Sequence, residues 1–398
     1  MNAGVYLHIP FCRSRCSYCD FATGMYESAT AKRYVAALIK EISDWRPTVG
    51  ARLVPARGGQ PQGLPLQKID TIYFGGGTPS LLSTAQIEAI LNIIRDRLAV
   101  TTDAEVTLEI NPGDGGLSHE QRIETMREWR RLGINRASFG AQTFADRELK
   151  MLGRTHDSRD TRNTFTQLRN AGFRNINCDL IAALPGQTLD GWRRNLDQAL
   201  RLRPEHLSLY LLDVHNSTPL ADQIKRGMRA APDDDLAAEM YAMMIETVCA
   251  AGYEHYEISN FCLPGFESRH NTKYWTGAPY YGFGNSAHSY DGARRRWANE
   301  RDAVKYIETI DRGDSPIVER SELSEEDTRS EAIFLGLRLM SGIDLEDYRS
   351  RFDHDLCQQY NGELMGLIDA GLIQIDDRRL KLTSRGALLS NEVFARLA

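Results

Sequence analysis

Three cysteines near the start of the chain have a spacing that can hold an iron–sulfur cluster. Cys12, Cys16 and Cys19 form a C-x3-C-x2-C array directly after a short run of residues typical of a β-strand. Cysteine thiolates are the usual ligands of the irons in such clusters. A cube of four irons held by three thiolates keeps one iron open for a further ligand. The array therefore predicts a [4Fe-4S] cluster that takes part in chemistry and does more than store electrons.

The other four of the seven cysteines show no such pattern. Cys178 lies in an apolar strand-like run and Cys249 on a predicted helix face, so we expect both to be small buried residues. We interpret Cys262 and Cys357 as structural. Because the number of cysteines is odd and the chain shows no secretion signal, a disulfide framework is not predicted.

The composition is typical of a soluble globular protein. The chain has 398 residues, of which 42% are hydrophobic and 26% charged, and its formal net charge is -6. This charge argues against a general binder of nucleic acid or anionic membranes. No apolar run approaches the roughly 18 to 20 residues that span a bilayer. Cys12 and Arg13 also interrupt any hydrophobic signal segment, so a cytoplasmic location of bacterial type is the simplest expectation.

Between residues 5 and 212, runs typical of β-strands alternate with helical patterns. The capping boxes Ser83-x-x-Gln86 and Ser118-x-x-Gln121 mark two helix starts. After the first gap the strands begin about 30 to 40 residues apart, which is typical of repeated strand–helix units and a parallel sheet. Six units predict an α/β fold with a partial (β/α)6 barrel, in which chemistry takes place at the C-terminal strand ends. The six runs cover residues 5–11, 71–76, 105–110, 136–141, 175–182 and 206–212.

Polar residues follow nearly every predicted strand. The second run ends in Gly75-Gly-Gly-Thr-Pro79, whose glycines allow a ligand to approach the backbone closely. The third run ends at Glu109 and the fourth at Gln142. Arg154 follows soon after, and the fifth run contains Asp179. Each polar residue alone could be a structural hydrogen-bonding group, and the glycines could form only a tight turn. Their repetition beside the cysteine array predicts one ligand site.

The remaining sequence gives weaker indications. Residues 48–67 are rich in Gly, Pro and Gln, and we interpret them as a flexible surface insertion. Three aspartates at 233–235 favour a helix start over a metal site. After residue 320, two helical stretches and a small hairpin resemble a winged-helix module, but no Lys/Arg stripe favours DNA binding. We predict a barrel domain, a barrel extension and a small α+β winged-helix-like domain, at residues 1–215, 216–315 and 316–398.

The cysteine array and the Gly-Gly-Gly-Thr-Pro stretch together resemble the radical SAM superfamily. An aromatic residue, Tyr18, stands before the third cysteine, as it does in that superfamily. The resemblance implies that the open iron binds the amino and carboxylate groups of S-adenosylmethionine, and that one electron from the cluster releases a 5′-deoxyadenosyl radical. It also implies an S-adenosylmethionine site formed by Tyr6, Tyr18, Phe21, Gly76, Gly77, Thr78, Glu109, Gln142, Arg154 and Asp179.

Within the superfamily, the chain resembles the oxygen-independent coproporphyrinogen III oxidase group nearly from end to end. Matching stretches include residues 6–12, 179–188 and 256–261. Two features depart from the oxidases. The oxidases have another cysteine two residues after the third ligand, where this chain has Phe21. They also have an N-terminal extension, whereas this chain begins close to its first predicted strand. Both departures count against porphyrinogen oxidation, and whether radical chemistry occurs stays open.

The segment His270-Asn-Thr-Lys-Tyr-Trp275 is similar to the H-N-x-x-Y-W motif of HemW-type heme chaperones. A neutral imidazole can bind heme iron, and aromatic rings can pack against a porphyrin. The resemblance implies that heme is the cargo, delivered to membrane respiratory enzymes at the inner face of the cell membrane, with dimerisation as an option. It also implies heme contacts from His270, Asn271, Tyr274 and Trp275.

Other interpretations of this segment stay open at this point. The bare motif could be a packed turn, and His288 could be a second candidate iron ligand or a core histidine. We predict a heme chaperone that binds a [4Fe-4S] cluster, S-adenosylmethionine and heme. Oxygen-independent coproporphyrinogen III oxidase is the alternative function. A winged-helix regulator that carries a cluster is a weaker one, because the net charge does not suit DNA binding.

Overall fold

The computed structural model describes residues 1–46, 67–113 and 116–397. Apart from Gln67, the predicted insertion at 48–67 lies outside these residues. The strands are β1 (Ala3–Ile9), β2 (Phe11–Cys12), β3 (Gly24–Met25), β4 (Lys68–Gly76), β5 (Ala99–Ile110), β6 (Arg136–Gln142), β7 (Ile176–Ala182), β8 (His206–Leu211), β9 (Glu254–Glu257), β10 (Asn260–Cys262), β11 (Tyr280–Phe283), β12 (His288–Tyr290), β13 (Arg295–Asn299), β14 (Ile317–Glu322), β15 (Ile343–Asp344), β16 (Ile373–Asp376) and β17 (Arg379–Leu382).

The helices lie mostly between the strands. They are α1 (Ser28–Asp44), α2 (Thr84–Arg97), α3 (His119–Arg131), α4 (Asp146–Met151), α5 (Ser158–Asn170), α6 (Leu189–Leu202), α7 (Pro219–Lys225), α8 (Asp234–Ala250), α9 (Arg269–Trp275), α10 (Ala303–Asp311), α11 (Glu325–Gly336), α12 (Leu345–Phe352), α13 (Leu356–Gln359), α14 (Asn361–Asp369), α15 (Ser384–Leu388) and α16 (Ser390–Leu397).

The predicted helix starts are confirmed. Both capping boxes form: the hydroxyls of Ser83 and Ser118 accept the backbone N–H groups of Gln86 and Gln121, and the serine N–H groups donate to the glutamine side chains. Asp233 caps α8 by accepting the N–H of Leu236 at 3.0 Å, so the acidic run is a helix start.

The central sheet confirms a partial, open barrel. In the described residues its strand order is β14-β13-β12-β11-β1-β4-β5-β6-β7-β8-β10-β9, and the two end strands do not pair with each other. The strands from β11 to β8 in this order are parallel neighbours. The sequence predicted six parallel strands, and β11 adds one more beside β1. Strand β11 was not predicted because it is only four residues long and is followed by an antiparallel strand, where the strand–helix pattern would place a helix.

Alternate residues of each parallel strand separate the apolar core from a polar interior. In β1, Val5, Leu7 and Ile9 are fully buried in the core, while Tyr6 and His8 lie between them in sequence. Because successive side chains of a strand point to opposite faces, Tyr6 and His8 face the inside of the barrel. The interior of this barrel is therefore lined by polar and aromatic groups, which suits a ligand cavity.

Helix α9 carries the H-N-x-x-Y-W motif and closes the N-terminal end of the barrel. The buried carboxylate of Glu105 accepts the N–H groups of Arg269 (3.2 Å) and His270 (3.1 Å) at the start of this helix. Lys273 donates to the carbonyl of Asn2 at 2.9 Å and pairs with Asp70 at 2.6 Å. These contacts fix α9 as the floor of the barrel.

The C-terminal residues form a small α+β unit, as predicted. Its sheet has the order β15-β17-β16, and β16 and β17 form the predicted hairpin after α14. Strand β14 pairs with β13 and belongs to the large sheet. The three-domain division at 215 and 315 stays a prediction.

The predicted burial of two cysteines is right for one of them. Cys178 is fully buried in β7, but Cys249 is exposed, so its prediction was wrong. Cys249 lies on α8, and its neighbour Val248 is fully buried, which places the cysteine on the solvent side of the helix.

Arg338 joins the C-terminal unit to the barrel. Its guanidinium lies over the ring of Trp275 at 4.3 Å and bonds the carboxylate of Glu257 at 2.8 Å. The Glu257 side chain is 1% exposed, so this ion pair is largely desolvated on the acidic side. The backbone adds two bonds, Ile258 N–H to the Arg338 carbonyl and Met340 N–H to the Tyr256 carbonyl.

We expect Arg338→Met to lower the free energy of unfolding by about 3 kcal/mol, because it leaves a buried carboxylate without its cation. Urea unfolding of the purified chain measures this. The double variant with Glu257→Gln should recover part of the loss. Arg33→Met, which breaks an ion pair whose side chains are 62% and 57% exposed, should cost at most about 1 kcal/mol. Equal losses of unfolding free energy in Arg338→Met and Arg33→Met would contradict a stabilising role of the buried Arg338–Glu257 ion pair.

Candidate functional site

A cavity of about 640 Å³ opens at the C-terminal ends of the parallel strands. The structure brings to it all three predicted cluster ligands and most of the predicted S-adenosylmethionine residues. Those that line the cavity are Cys12, Cys16, Cys19, Tyr18, Phe21, Gly76, Gly77, Glu109, Gln142, Arg154 and Asp179.

The cysteine loop is tied to the surrounding strand ends. Thr78 Oγ1 donates to Cys12 Sγ at 3.7 Å, and Arg154 Nη1 donates to Cys16 Sγ at 3.6 Å. Ser17 bonds the carbonyls of Leu152 and Met151 through its N–H and hydroxyl groups, at 2.9 and 3.1 Å. The loop is therefore held in place by its neighbours without a disulfide.

The donor set of this loop fits an iron–sulfur cluster. All three thiols are free, partly buried and directed to one cavity. Burial raises the pKa of Cys12 to about 11, so iron binding there would have to displace a proton. Among the described residues, no group of three His, Cys, Asp or Glu side chains is arranged to hold a single metal ion. A [4Fe-4S] cluster does not require three ligands around one ion, because each of the three thiolates would bind a different iron.

The glycine stretch lets the cysteine loop lie directly on strand β4. A side chain at Gly77 would come within 2.7 Å of the carbonyl oxygen of Phe11. Gly76 has a φ of +107°, which favours glycine strongly, and its N–H donates to Glu109 Oε2 at 3.2 Å. The glycines therefore serve close backbone approach as well as the turn.

Two carboxylates face the cavity from neighbouring parts of the sheet. Glu109 accepts from the Tyr73 hydroxyl at 2.9 Å, and Asp179 accepts from the Asn177 amide at 2.6 Å. Burial is the main reason that the pKa of Glu109 is raised to about 7 and that of Asp179 to about 6. Such groups can accept hydrogen bonds from an ammonium or a ribose hydroxyl of a ligand.

We expect the ligand-free chain to lose stability as the pH rises from about 4.5 to about 7. The pKa of Glu109 is raised to about 7 in the folded state, whereas an unfolded glutamate titrates near about 4.3. The folded state therefore binds more protons in this window, and stability falls with rising pH. Glu109→Gln should reduce the slope of the profile of melting temperature against pH, and the remaining slope comes from Glu41 and Asp179, whose pKa values burial raises to about 7 and about 6. The same profile in exposed Glu88→Gln should match the wild type. An unchanged slope in Glu109→Gln would contradict the prediction.

Arg154 bridges the cysteine loop and the strand ends. Besides Cys16 Sγ, its guanidinium bonds Asn111 Oδ1 at 2.7 Å and the Gly140 carbonyl at 2.8 Å. Gln142 follows on the same strand with a φ of +64°, an uncommon value for a residue with a side chain. This conformation is consistent with a residue placed for ligand contact.

The two remaining predicted S-adenosylmethionine residues do not line the cavity. Tyr6 lies inside the barrel, where its hydroxyl and His8 Nδ1 are 3.2 Å apart and its ring is 6.2 Å from that of Tyr73. Thr78 is 1% exposed and supports Cys12 from behind. Their direct contact with the ligand stays a prediction.

Several cavity residues were not predicted. Tyr73, Ser138 and Asn177 line the cavity from within β4, β6 and β7, and Asn111 directly follows the end of β5. The period of two within each strand could have identified the first three, because they share a face with Gly75, Gly140 and Asp179.

The predicted heme motif lies mostly outside this cavity. His270 is 1% exposed, with Nδ1 2.9 Å from the Thr71 hydroxyl and Nε2 2.9 Å from the Tyr274 hydroxyl. Burial lowers the pKa of His270 to about 3, so its ring is neutral. Asn271 reaches the cavity floor, while Trp275 packs against Arg338. The structure thus brings only Asn271 to the cavity, and the heme contacts stay a prediction.

His288, the second candidate ligand, has different surroundings. It starts β12 and is exposed, and within the described part of the chain its ring has no hydrogen-bond partner. Ring contacts lead from the motif to its strand: Tyr274 lies 4.7 Å from Tyr280, and Tyr280 lies 6.3 Å from Tyr290, two residues after His288 in β12. His288 is accessible to an external ligand, whereas His270 is not.

Comparison with known proteins decides the family. The radical SAM superfamily model matches residues 6–199, and the HemN C-terminal domain model matches residues 323–389. The chain is 36% identical over 389 residues to heme chaperone HemW of Lactococcus lactis, covering 98% of this chain and 95% of that protein. Heme chaperone HemW of Bacillus subtilis is also 36% identical, with coverages of 98% and 97%. The chain belongs to the HemW family.

Membership in the HemW family places the chain in the radical SAM superfamily, which implies a [4Fe-4S] cluster and S-adenosylmethionine as cofactors. The solved structure of coproporphyrinogen III oxidase HemN from Escherichia coli has the same fold, with a TM-score of 0.80 and coverages of 100% and 90%. At 22% identity this likeness concerns the fold alone. In the described ranges, none of the helices combines the length and apolar composition that a membrane span requires.

Proposed function

We propose that this chain is a heme chaperone that binds a [4Fe-4S] cluster, S-adenosylmethionine and heme, and passes heme to a respiratory membrane enzyme. The observation that carries the proposal is the similarity to heme chaperone HemW over 98% of the chain. The cavity supports it, because three thiols and a ring of polar strand-end residues face the same space.

Different residues of the cavity would bind the cluster and S-adenosylmethionine. Cys12, Cys16 and Cys19 would hold the cluster. Glu109, Gln142, Arg154 and Asp179 would hold the polar groups of S-adenosylmethionine, and the backbone of Phe21 would meet the adenine. Once bound at these thiolates, a cluster can supply one electron to the sulfonium of S-adenosylmethionine. The Phe21 side chain, 67% exposed at the cavity rim, offers no further thiol there.

The heme site requires a choice between two histidines. Iron ligation by His270 would break its bond to Thr71 or Tyr274 inside the barrel floor. His288 needs no such rearrangement. We propose that heme packs on the aromatic series that leads from the 270–275 motif to β12, with His288 as the iron ligand. Transfer would occur at the cytoplasmic face of the membrane, and a homodimer would be compatible with it.

A heme titration of anaerobically reconstituted protein tests this proposal. The wild type should show a shifted Soret band that saturates near one heme per chain. His288→Ala should weaken heme binding about tenfold or more, since one tenfold step corresponds to about 1.4 kcal/mol. His270→Ala should lower the melting temperature and affect heme affinity less. A Soret shift lost in His270→Ala but kept in His288→Ala would reverse the ligand assignment, and no shift in the wild type would remove heme binding.

Oxygen-independent coproporphyrinogen III oxidase remains the second candidate, because the HemN C-terminal domain model matches residues 323–389. Anaerobic incubation with coproporphyrinogen III, S-adenosylmethionine and an electron donor separates the two. The chaperone proposal expects no protoporphyrin. Steady formation of protoporphyrin would establish the oxidase reaction.

A further inference from the structure

The guanidinium of Arg136 is buried in the barrel below the predicted S-adenosylmethionine residues. Arg136 is the first residue of β6 and is 1% exposed, yet it lines the cavity. Its Nε and Nη1 atoms are buried and have no hydrogen-bond partner. An arginine stays charged at any physiological pH, so this is a cation inside the fold with unmet donors.

The neighbouring acidic groups are already engaged elsewhere. Glu109 accepts from Tyr73 and Gly76, and Asp179 accepts from Asn177. Glu105 caps α9, and Glu257 pairs with Arg338. Across the described ranges, Arg136 takes part in no ion pair. Burial raises the pKa of Glu109 and Asp179 and the charge of Arg136 opposes that rise, but the buried Nε and Nη1 donors of Arg136 stay without an acceptor, which is costly unless a ligand supplies one.

The position of Arg136 separates it from the cluster end of the cavity. Arg154 bonds the carbonyl of Gly140, four residues further along β6. Four residues of a strand span about 13 Å. A ligand group that meets Arg136 therefore lies deep in the barrel, close to the α9 floor, where Asn271 also lines the cavity.

We propose that Arg136 binds a carboxylate at the floor of the cavity, through the paired donors of its guanidinium. A planar carboxylate matches the fork of an arginine, and its single charge suits a site that two other carboxylates, Glu109 and Asp179, also face. A doubly charged phosphate would meet stronger repulsion from them. The carboxylate comes either from a small free acid or from a propionate of heme, which would then lie in the cavity and not on the aromatic series that leads to β12. The site rests on the cavity alone and does not depend on the proposed chaperone function.

Thermal unfolding of the reconstituted full chain tests the site, with sodium propionate as the probe and sodium chloride at equal ionic strength as the reference. At a propionate concentration about ten times its Kd, mass action should raise the melting temperature of the wild type by a few degrees. Arg136→Gln should show no such rise. Without propionate, Arg136→Gln should be at least as stable as the wild type, because it removes an unpaired buried charge. If Arg136 had only a structural role, Arg136→Gln would be less stable than the wild type in the absence of propionate.

Two further variants keep the test decisive. Arg136→Lys retains the positive charge but not the paired N–H donors of the guanidinium. It should respond to propionate more weakly than the wild type. Arg162→Gln, at an exposed arginine bonded to Gln198, should respond like the wild type. No specific effect of propionate on the wild type, or an equal effect in Arg136→Gln, would overturn the proposal.

A second arm identifies the source of the carboxylate. If heme supplies it, Arg136→Gln should weaken binding of heme about tenfold and leave binding of heme dimethyl ester unchanged. If a small acid supplies it, propionate still stabilises the wild type, and the wild type and Arg136→Gln bind heme with the same affinity. Either result, together with the propionate effect on the wild type, supports the carboxylate site, and absence of the propionate effect overturns it.

Discussion

Cys16→Ala should leave the anaerobically reconstituted protein almost colourless, with iron and sulfide contents below about a tenth of those of the wild type. Cys16 is one of the three cysteines that line the cavity in the described part of the chain, and Arg154 contacts its sulfur. With two thiolates left, two of the four irons would have no protein ligand. The visible absorbance and the iron analysis measure this loss directly.

A matched cysteine provides the control. Cys249 is exposed on α8 and does not line the cavity, so Cys249→Ala should keep the full absorbance. The Cys16→Ala chain should keep its far-ultraviolet circular dichroism, because the loop is anchored by Ser17 bonds that the substitution does not touch. Full cluster absorbance in Cys16→Ala would mean that the ligands lie elsewhere.

Arg154→Ala should raise the Kd for S-adenosylmethionine by ten- to a hundredfold while the cluster still forms. The guanidinium joins Cys16, Asn111 and the Gly140 carbonyl, and we propose that it also binds a polar group of S-adenosylmethionine. Charge-assisted bonds of this kind are about twice as strong as neutral ones. A hundredfold loss corresponds to about 2.7 kcal/mol.

Isothermal titration on reconstituted protein measures that Kd, with the iron content determined on the same sample. Arg154→Lys should lie between the wild type and Arg154→Ala, because it keeps the charge without the fork. Arg162→Ala, on the exposed face of α5, should bind S-adenosylmethionine like the wild type. Unchanged affinity in Arg154→Ala with a full cluster would exclude this arginine from the binding site.

Much of the site could be predicted because local sequence determines it. The cysteine spacing and the glycine stretch are local patterns, and the strand period predicts where the parallel strands end. Barrel geometry then brings those ends together, which is why Glu109, Gln142 and Asp179, distant in sequence, line one cavity. The partial barrel and both capping boxes followed from the same reasoning.

What could not be predicted depends on contacts between distant residues. The burial of His270 results from packing against Thr71 and Tyr274 and from the Glu105 cap on α9, and no short motif encodes those partners. Strand β11 forms because β1 offers a free edge to a four-residue segment. Arg136 begins its strand, so the rule that ligand residues follow the C-terminal strand ends does not identify it.

Transfer of heme from the loaded protein to an apo-acceptor tests the central claim most directly. Reconstituted protein would be loaded with one equivalent of heme, freed of excess, and mixed with membranes that contain a heme-depleted respiratory enzyme. We predict that the Soret band of the loaded chain declines while the acceptor regains its heme spectrum, and that this transfer is faster than from albumin-bound heme. Failure to load heme, or transfer no faster than from albumin, would contradict it.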